Sequence, residues 1–155
     1  DRMRRVIAAL AAVLLLLSAV PASAASITYP YTAHVQSVGW QGMVGDGATA
    51  GTTGKGLRLE AVRFVFPGQE ARGHVQDIGW QAWQASDSTQ IGTTGRAKRL
   101  EAVQVRSTIP GVSIECQAHV QGKGWLPRVG DGAVCGTTGK GLRLEAVRFW
   151  LVDNN

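Results

Sequence analysis

Beyond its first 24 residues the sequence has no second long apolar run, no run of basic residues and no stretch that keeps a helical period of 3.6 for three turns. The first absence leaves nothing else of the length, about 20 apolar residues, that a bilayer core requires. The second argues against nucleic acid as a partner. The third excludes a helical domain. Also missing are a serine nucleophile elbow, a Cys-His pairing and a phosphate-binding P-loop, so no catalytic activity and no cofactor are expected. With only two cysteines, Cys116 and Cys135, the chain can form one disulfide, which is the expected state in an oxidising compartment.

The first 24 residues have their own logic. Arg2, Arg4 and Arg5 precede an apolar run from Val6 to Val20, followed by Pro21 and the small residues Ala22-Ser23-Ala24-Ala25. That order predicts a secretory leader cut after Ala24, with Ala25 as the alternative. The expected product, residues 25–155, is a single domain released outside the cell with no membrane attachment. Counting only that product, the 16 basic and 11 acidic residues become 13 and 10. A net charge of +3 is mild.

What the sequence does contain is repetition. His34-Val35-Gln36, Gly39-Trp40, Gly51-Thr52-Thr53-Gly54 and Arg58-Leu59-Glu60-Ala61-Val62 recur in order. They return from His74 to Val103 and again from His119 to Val147. Tryptophan to glutamate spans 20, 21 and 20 positions, so the second copy carries one extra residue in its middle loop. Segments rich in β-branched and aromatic residues, bounded by glycine clusters, read as strands. Gly-Asp-Gly and Gly-Thr-Thr-Gly read as turns. The expected fold is all-β, with about four short strands per copy closed around a pseudo-threefold axis. A β-prism is favoured and a β-trefoil is the alternative. The prism reading places Trp40, Trp80 and Trp125 in the core, meeting on the axis, and Trp150 at one end of it.

This pattern resembles the clostridial hydrophobic repeat with a conserved tryptophan, the ChW repeat, over residues 31–66, 71–107 and 116–151. The resemblance implies a bacterial extracellular module that binds polysaccharide or a cell-surface partner. The family often has a second tryptophan three residues after the first. Here Trp83 keeps it, while Met43 and Arg128 stand at the matching positions.

Candidate site residues lie in the middle loops. A sugar is held by carboxylates or amides on its hydroxyls and by an aromatic face against its ring. Trp83 and Asp87, with Gln81 and Gln84, supply both parts in copy two. Asp46 and Asp131 occupy the corresponding loops of copies one and three. His34, His74 and His119 are expected to be neutral and structural, with no metal bound. Glu60, Glu101 and Glu145 each follow an arginine by two residues and so share a strand face with it. An ion pair repeated three times is expected there, not a pair of glycosidase carboxylates. The expected function is non-catalytic binding of an extracellular glycan or cell-wall polysaccharide. A module that binds a secreted protein, as inhibitor or subunit, is the alternative.

Overall fold

The computed structural model describes residues 28–85 and 89–155. The expected leader and Asp87 lie outside the described residues. Each copy folds into four strands. Copy one forms β1 (Tyr31–Val35), β2 (Gly39–Trp40), β3 (Ala50–Gly51) and β4 (Leu59–Phe64). Copy two forms β5 (Gln69–Val75), β6 (Gly79–Trp80), β7 (Thr89–Gly92) and β8 (Leu100–Ser107). Copy three forms β9 (Val112–Val120), β10 (Gly124–Trp125), β11 (Cys135–Gly136) and β12 (Leu144–Asp153). All pairing is antiparallel, and no helix is present among the described residues.

Strands one, two and four of a copy form three strands of a four-stranded sheet, and the fourth strand comes from the next copy. The sheets run β2-β1-β4-β7, β6-β5-β8-β11 and β10-β9-β12-β3. The third strand of each copy is thus donated back to the copy before it, and β3 closes the ring by pairing with β12, placing Ala50 opposite Val147 and Gly51 opposite Ala146. No open edge is left where a fourth repeat would stack. This cyclic exchange explains the first glycine of each Gly-Thr-Thr-Gly. A methyl on Gly51, Gly92 or Gly136 would run into the carbonyl of Glu145, Glu60 or Glu101 on the adjacent strand, which belongs to the neighbouring copy.

The opening strands alternate between core and surface, with Thr32 the buried exception, while β4, β8 and β12 each begin with four buried residues. On β1 Tyr31, Ala33 and Val35 are fully buried while His34 is half-buried, and β5 and β9 repeat the pattern. Leu59, Leu100 and Leu144, fully buried, lie on β4, β8 and β12, which approach one another about the axis. Toward the other end the copies differ. Tyr31, Phe64 and Phe149 pack edge to face, with Phe64 and Phe149 centroids 4.9 Å apart. Copy two has Ala71 and Val105 in the same places, so the aromatic rings of its neighbours fill the volume that its own side chains leave.

The conserved tryptophans are not in this core. Hairpin register puts Trp40 directly opposite His34, Trp80 opposite His74 and Trp125 opposite His119. Directly opposed residues share a face, and the histidines point outward. The indoles therefore lie half-exposed on the outer surface, each edge-on to its histidine at 5.1–5.3 Å. Trp150 is also half-exposed on the outer face of β12, with its ring against Gly47, and does not cap the core.

The two cysteines form the disulfide, with Cα atoms 6.1 Å apart. Cys116 is on β9 and Cys135 on β11, so the bond lies within copy three yet joins two different sheets. Copies one and two make the same packing contact without the bond, β1 against β3 and β5 against β7.

Candidate functional site

The outer face of each sheet is organised around its tryptophan and one guanidinium. Arg63 lies over Trp40 at 4.2 Å, Arg72 over Trp80 at 4.7 Å and Arg148 over Trp125 at 4.1 Å. Arg63 and Arg148 occupy matching positions on the last strand of their copies, where copy two has Gln104. In copy two the cation comes instead from β5, and Arg72 donates Nε–H to Gln104 Oε1 at 2.7 Å. These two residues are cross-strand partners. The pairing is kept although the strand that supplies it changes.

Copies two and three extend the stack. Trp83 lies under Arg106 at 3.8 Å and within 4.8 Å of Arg72. A continuous run, Trp80–Arg72–Trp83–Arg106, results. Glu70 accepts from Arg106 Nε at 2.7 Å and fixes its outer end. In copy three Arg128 stands where Trp83 stands in copy two, and Trp150 stands where Arg106 does. The two are still stacked, with the guanidinium 3.5 Å from the ring centre, and Arg128 donates to Glu115. Copy one has Met43 and Val65 at these positions, both exposed.

The remaining loop candidates hold backbone. Gln81 Oε1 accepts from Gly92 N–H at 2.8 Å and its Nε2 donates to Gly92 C=O at 3.2 Å. Gln41 grips Gly51 in the same way. Gln84 is exposed beside Trp83, and its backbone bridges to Ala71. Asp46 Oδ1 accepts from Leu151 N–H at 2.6 Å, tying the copy-one loop to β12. Asp131 Oδ1 accepts from Ser107 N–H at 2.9 Å and Ile114 N–H at 2.7 Å, tying copy three to copy two. One oxygen of each aspartate therefore serves the ring closure. Trp83 and Gln84 are neighbours on the surface, the Asp131 loop reaches Arg106, where a methyl on Gly132 would meet its Cβ at 3.6 Å, and the Asp46 loop lies against Trp150 at Gly47. Arg106 is not singled out by the sequence, which places Trp150 at one end of the core and marks Arg128 only where a second tryptophan is missing. Aligning position 65 with 106 and 150, and 43 with 83 and 128, shows the exchange.

The histidine, arginine and glutamate of each copy meet behind the indole. Arg58 Nε donates to Glu60 Oε2 at 3.0 Å, Arg99 to Glu101 at 2.8 Å and Arg143 to Glu145 at 3.1 Å. The other carboxylate oxygen faces the imidazole: 3.1 Å from His74 Nδ1, and 3.2 Å at His34 and His119, where the alignment is poorer. The glutamates are buried and each has its own arginine, which is the ion pair expected from the spacing. Each imidazole faces its own copy's glutamate, and no group of histidine, cysteine and acidic residues suited to a metal ion occurs among the described residues.

Three equivalent units, each contributing a strand to its neighbour and an arginine-covered tryptophan to the outer surface, define a closed repeat module. The chain belongs to the Clostridial hydrophobic W (ChW) family, whose pattern matches residues 34–66, 74–108 and 119–153. No similar chain was found among curated proteins or among solved structures.

Proposed function

We propose that this protein is a secreted, non-catalytic module that binds an extracellular glycan or cell-wall polysaccharide through the outer tryptophan–arginine stacks of copies two and three. The observation that carries the reading is the run Trp80–Arg72–Trp83–Arg106 on an exposed sheet face. The guanidinium N–H groups of the run donate to hydroxyls or carboxylates, and the parts of the indoles that the arginines leave uncovered add apolar surface for the C–H groups of a sugar. Stacking and the Glu70 contact hold the arginine in place before the ligand arrives, which lowers the ordering cost of binding. The leader-like residues 1–24 support export. The disulfide, with no helix among the described residues long and apolar enough to cross a membrane, is compatible with it.

Copy one favours a second reading. Met43 and Val65 place apolar surface where the other copies carry tryptophan and arginine, with Val38 also exposed. A protein partner would cover such a patch. A glycan array probed with residues 25–155 and with Trp83→Ala separates the two. Binding that Trp83→Ala weakens supports the glycan reading, and a silent array together with a co-purifying protein supports the second.

A further inference from the structure

At one end of the pseudo-threefold axis the three copies enclose a funnel of about 530 Å³. Its wall is made by the same positions taken three times, Gln36, Gln76 and Gln121 alternating with Arg58, Arg99 and Arg143. Each glutamine Oε1 accepts from the backbone N–H of its copy's arginine at 3.2–3.3 Å. The end of the amide that it offers to the funnel is therefore the donor end. Each guanidinium is anchored from behind by its buried glutamate and reaches around the axis to the next copy. A methyl on Gly56 would meet Arg143 Nη2 at 3.6 Å, and one on Gly141 would meet Arg99 Nη2 at 3.4 Å. By the same symmetry Arg58 reaches toward Ala97, which lines the funnel in copy two.

The charge here is one-sided. Glu60, Glu101 and Glu145 balance the three arginines but are almost completely covered, while the arginine side chains keep 23–28% of their surface exposed. The exposed residues Lys55, Arg96 and Lys140, one per copy, sit immediately before Gly56, Ala97 and Gly141 and add three further cations at the rim. A ring of fixed donors with excess positive charge and no carboxylate among its lining residues suits a ligand that presents anionic oxygens in several directions at once. A tetrahedral oxyanion does this, and planar guanidinium forks match its geometry.

We propose that the axial funnel is a binding site for one phosphate or sulfate group per chain, free or carried on a sugar-sized molecule, held by Arg58, Arg99 and Arg143. This site is separate from the outer tryptophan stacks and does not rest on their binding a glycan. Its stoichiometry is its signature, because a site on the axis exists once while any site within a repeat exists up to three times.

Isothermal titration of residues 25–155 in a buffer free of phosphate and sulfate, with inorganic phosphate, glucose 6-phosphate and glucose, tests the proposal. Saturable binding at one per chain is expected for at least one phosphate ligand, weakening as NaCl is raised, with none for glucose. Whichever of the two phosphate ligands binds more tightly tells whether the group is taken free or on a sugar. Removing an arginine strands a buried glutamate and risks the fold, so the informative variant is Ala97→Asp. Ala97 is exposed with φ +54°, a conformation that aspartate and asparagine tolerate. A carboxylate there neutralises Arg58 and should weaken binding about tenfold or more, while Ala97→Asn should leave it nearly unchanged. Absence of saturable binding by both phosphate ligands, three ions per chain, or equal binding by Ala97→Asp and Ala97→Asn would overturn the site.

Discussion

Arg128 lies 3.5 Å over Trp150, and at the equivalent positions of the preceding copy Trp83 and Arg106 make the same contact with the roles exchanged. What the two copies share is the stacked pair, and neither position fixes which member it holds. An exchange of this kind leaves the outer surface chemically alike while the sequence alignment reads as two losses.

The pair should behave as a unit. Arg128→Ala and Trp150→Ala in a double-mutant cycle should show a coupling of about 0.5–1 kcal/mol, the range for an exposed cation over an indole. The double change Arg128→Trp with Trp150→Arg should fold with nearly the parent stability. Urea melts of the four proteins of the cycle and of the exchanged variant give both numbers, and simple additivity would mean that the stacking contributes nothing.

Ring closure depends on glycine at the crossing points. Gly92 has φ +82° and a methyl there would strike Glu60 C=O, so Gly92→Ala should cost about 2–4 kcal/mol from strain and overpacking together. Gly95 has φ +71° but nothing within 4 Å of its added methyl, so Gly95→Ala should cost only about 1–2 kcal/mol. Denaturant midpoints compare them directly, and equal costs would place no special demand on the strand crossing.

Alkaline pH should weaken the fold through the buried phenols. Burial raises Tyr31 to about 12 and pushes Tyr29 well above its ordinary value. The unfolded chain ionises its tyrosines near about 10. The neutral form is the one the fold keeps, so this stabilisation is complete below pH 10 and lost as pH rises from 10 toward 12. Tyr31 also accepts from Phe149 N–H at 3.2 Å and donates to Ala48 C=O. Tyr31→Phe should therefore cost about 1–3 kcal/mol at neutral pH. The same variant should flatten the alkaline slope between pH 10 and 12. An unchanged slope would separate Tyr31 from it.

The disulfide closes a loop with a sequence separation of 19. Reduction, or Cys116→Ala with Cys135→Ala, should cost roughly 3 kcal/mol on the chain-entropy estimate. Because β1–β3 and β5–β7 make the same contact with Tyr31, Ala50, Ala71 and Ile91 alone, the reduced protein should still fold, with an unchanged circular dichroism spectrum. Loss of that spectrum on reduction would show that the bond, and not the packing, holds β11 in place.

Much of this architecture was legible in the residues. Threefold repetition, the all-β class and the Arg58–Glu60 type of pair all follow from spacing and strand parity. The direction of strand exchange does not, because identical copies say which residues are equivalent and not whose β3 joins whose sheet. The tryptophans were misplaced for a definable reason. A large apolar side chain suggests burial, but Trp40 sits across a tight hairpin from His34, and that register alone puts it on the outer face. The Trp150–Arg128 stack was hidden because its two members lie 22 residues apart in sequence and exchange positions between copies.

Titration of residues 25–155 with a polysaccharide fragment that binds them tests most directly whether a glycan sits on the outer stacks of copies two and three. Two sites per chain are expected for the parent, and one each for Trp83→Ala and Trp150→Ala. The double variant should bind nothing while keeping its circular dichroism spectrum and its phosphate titration at the axial funnel. Undiminished polysaccharide binding by the folded double variant would contradict the account.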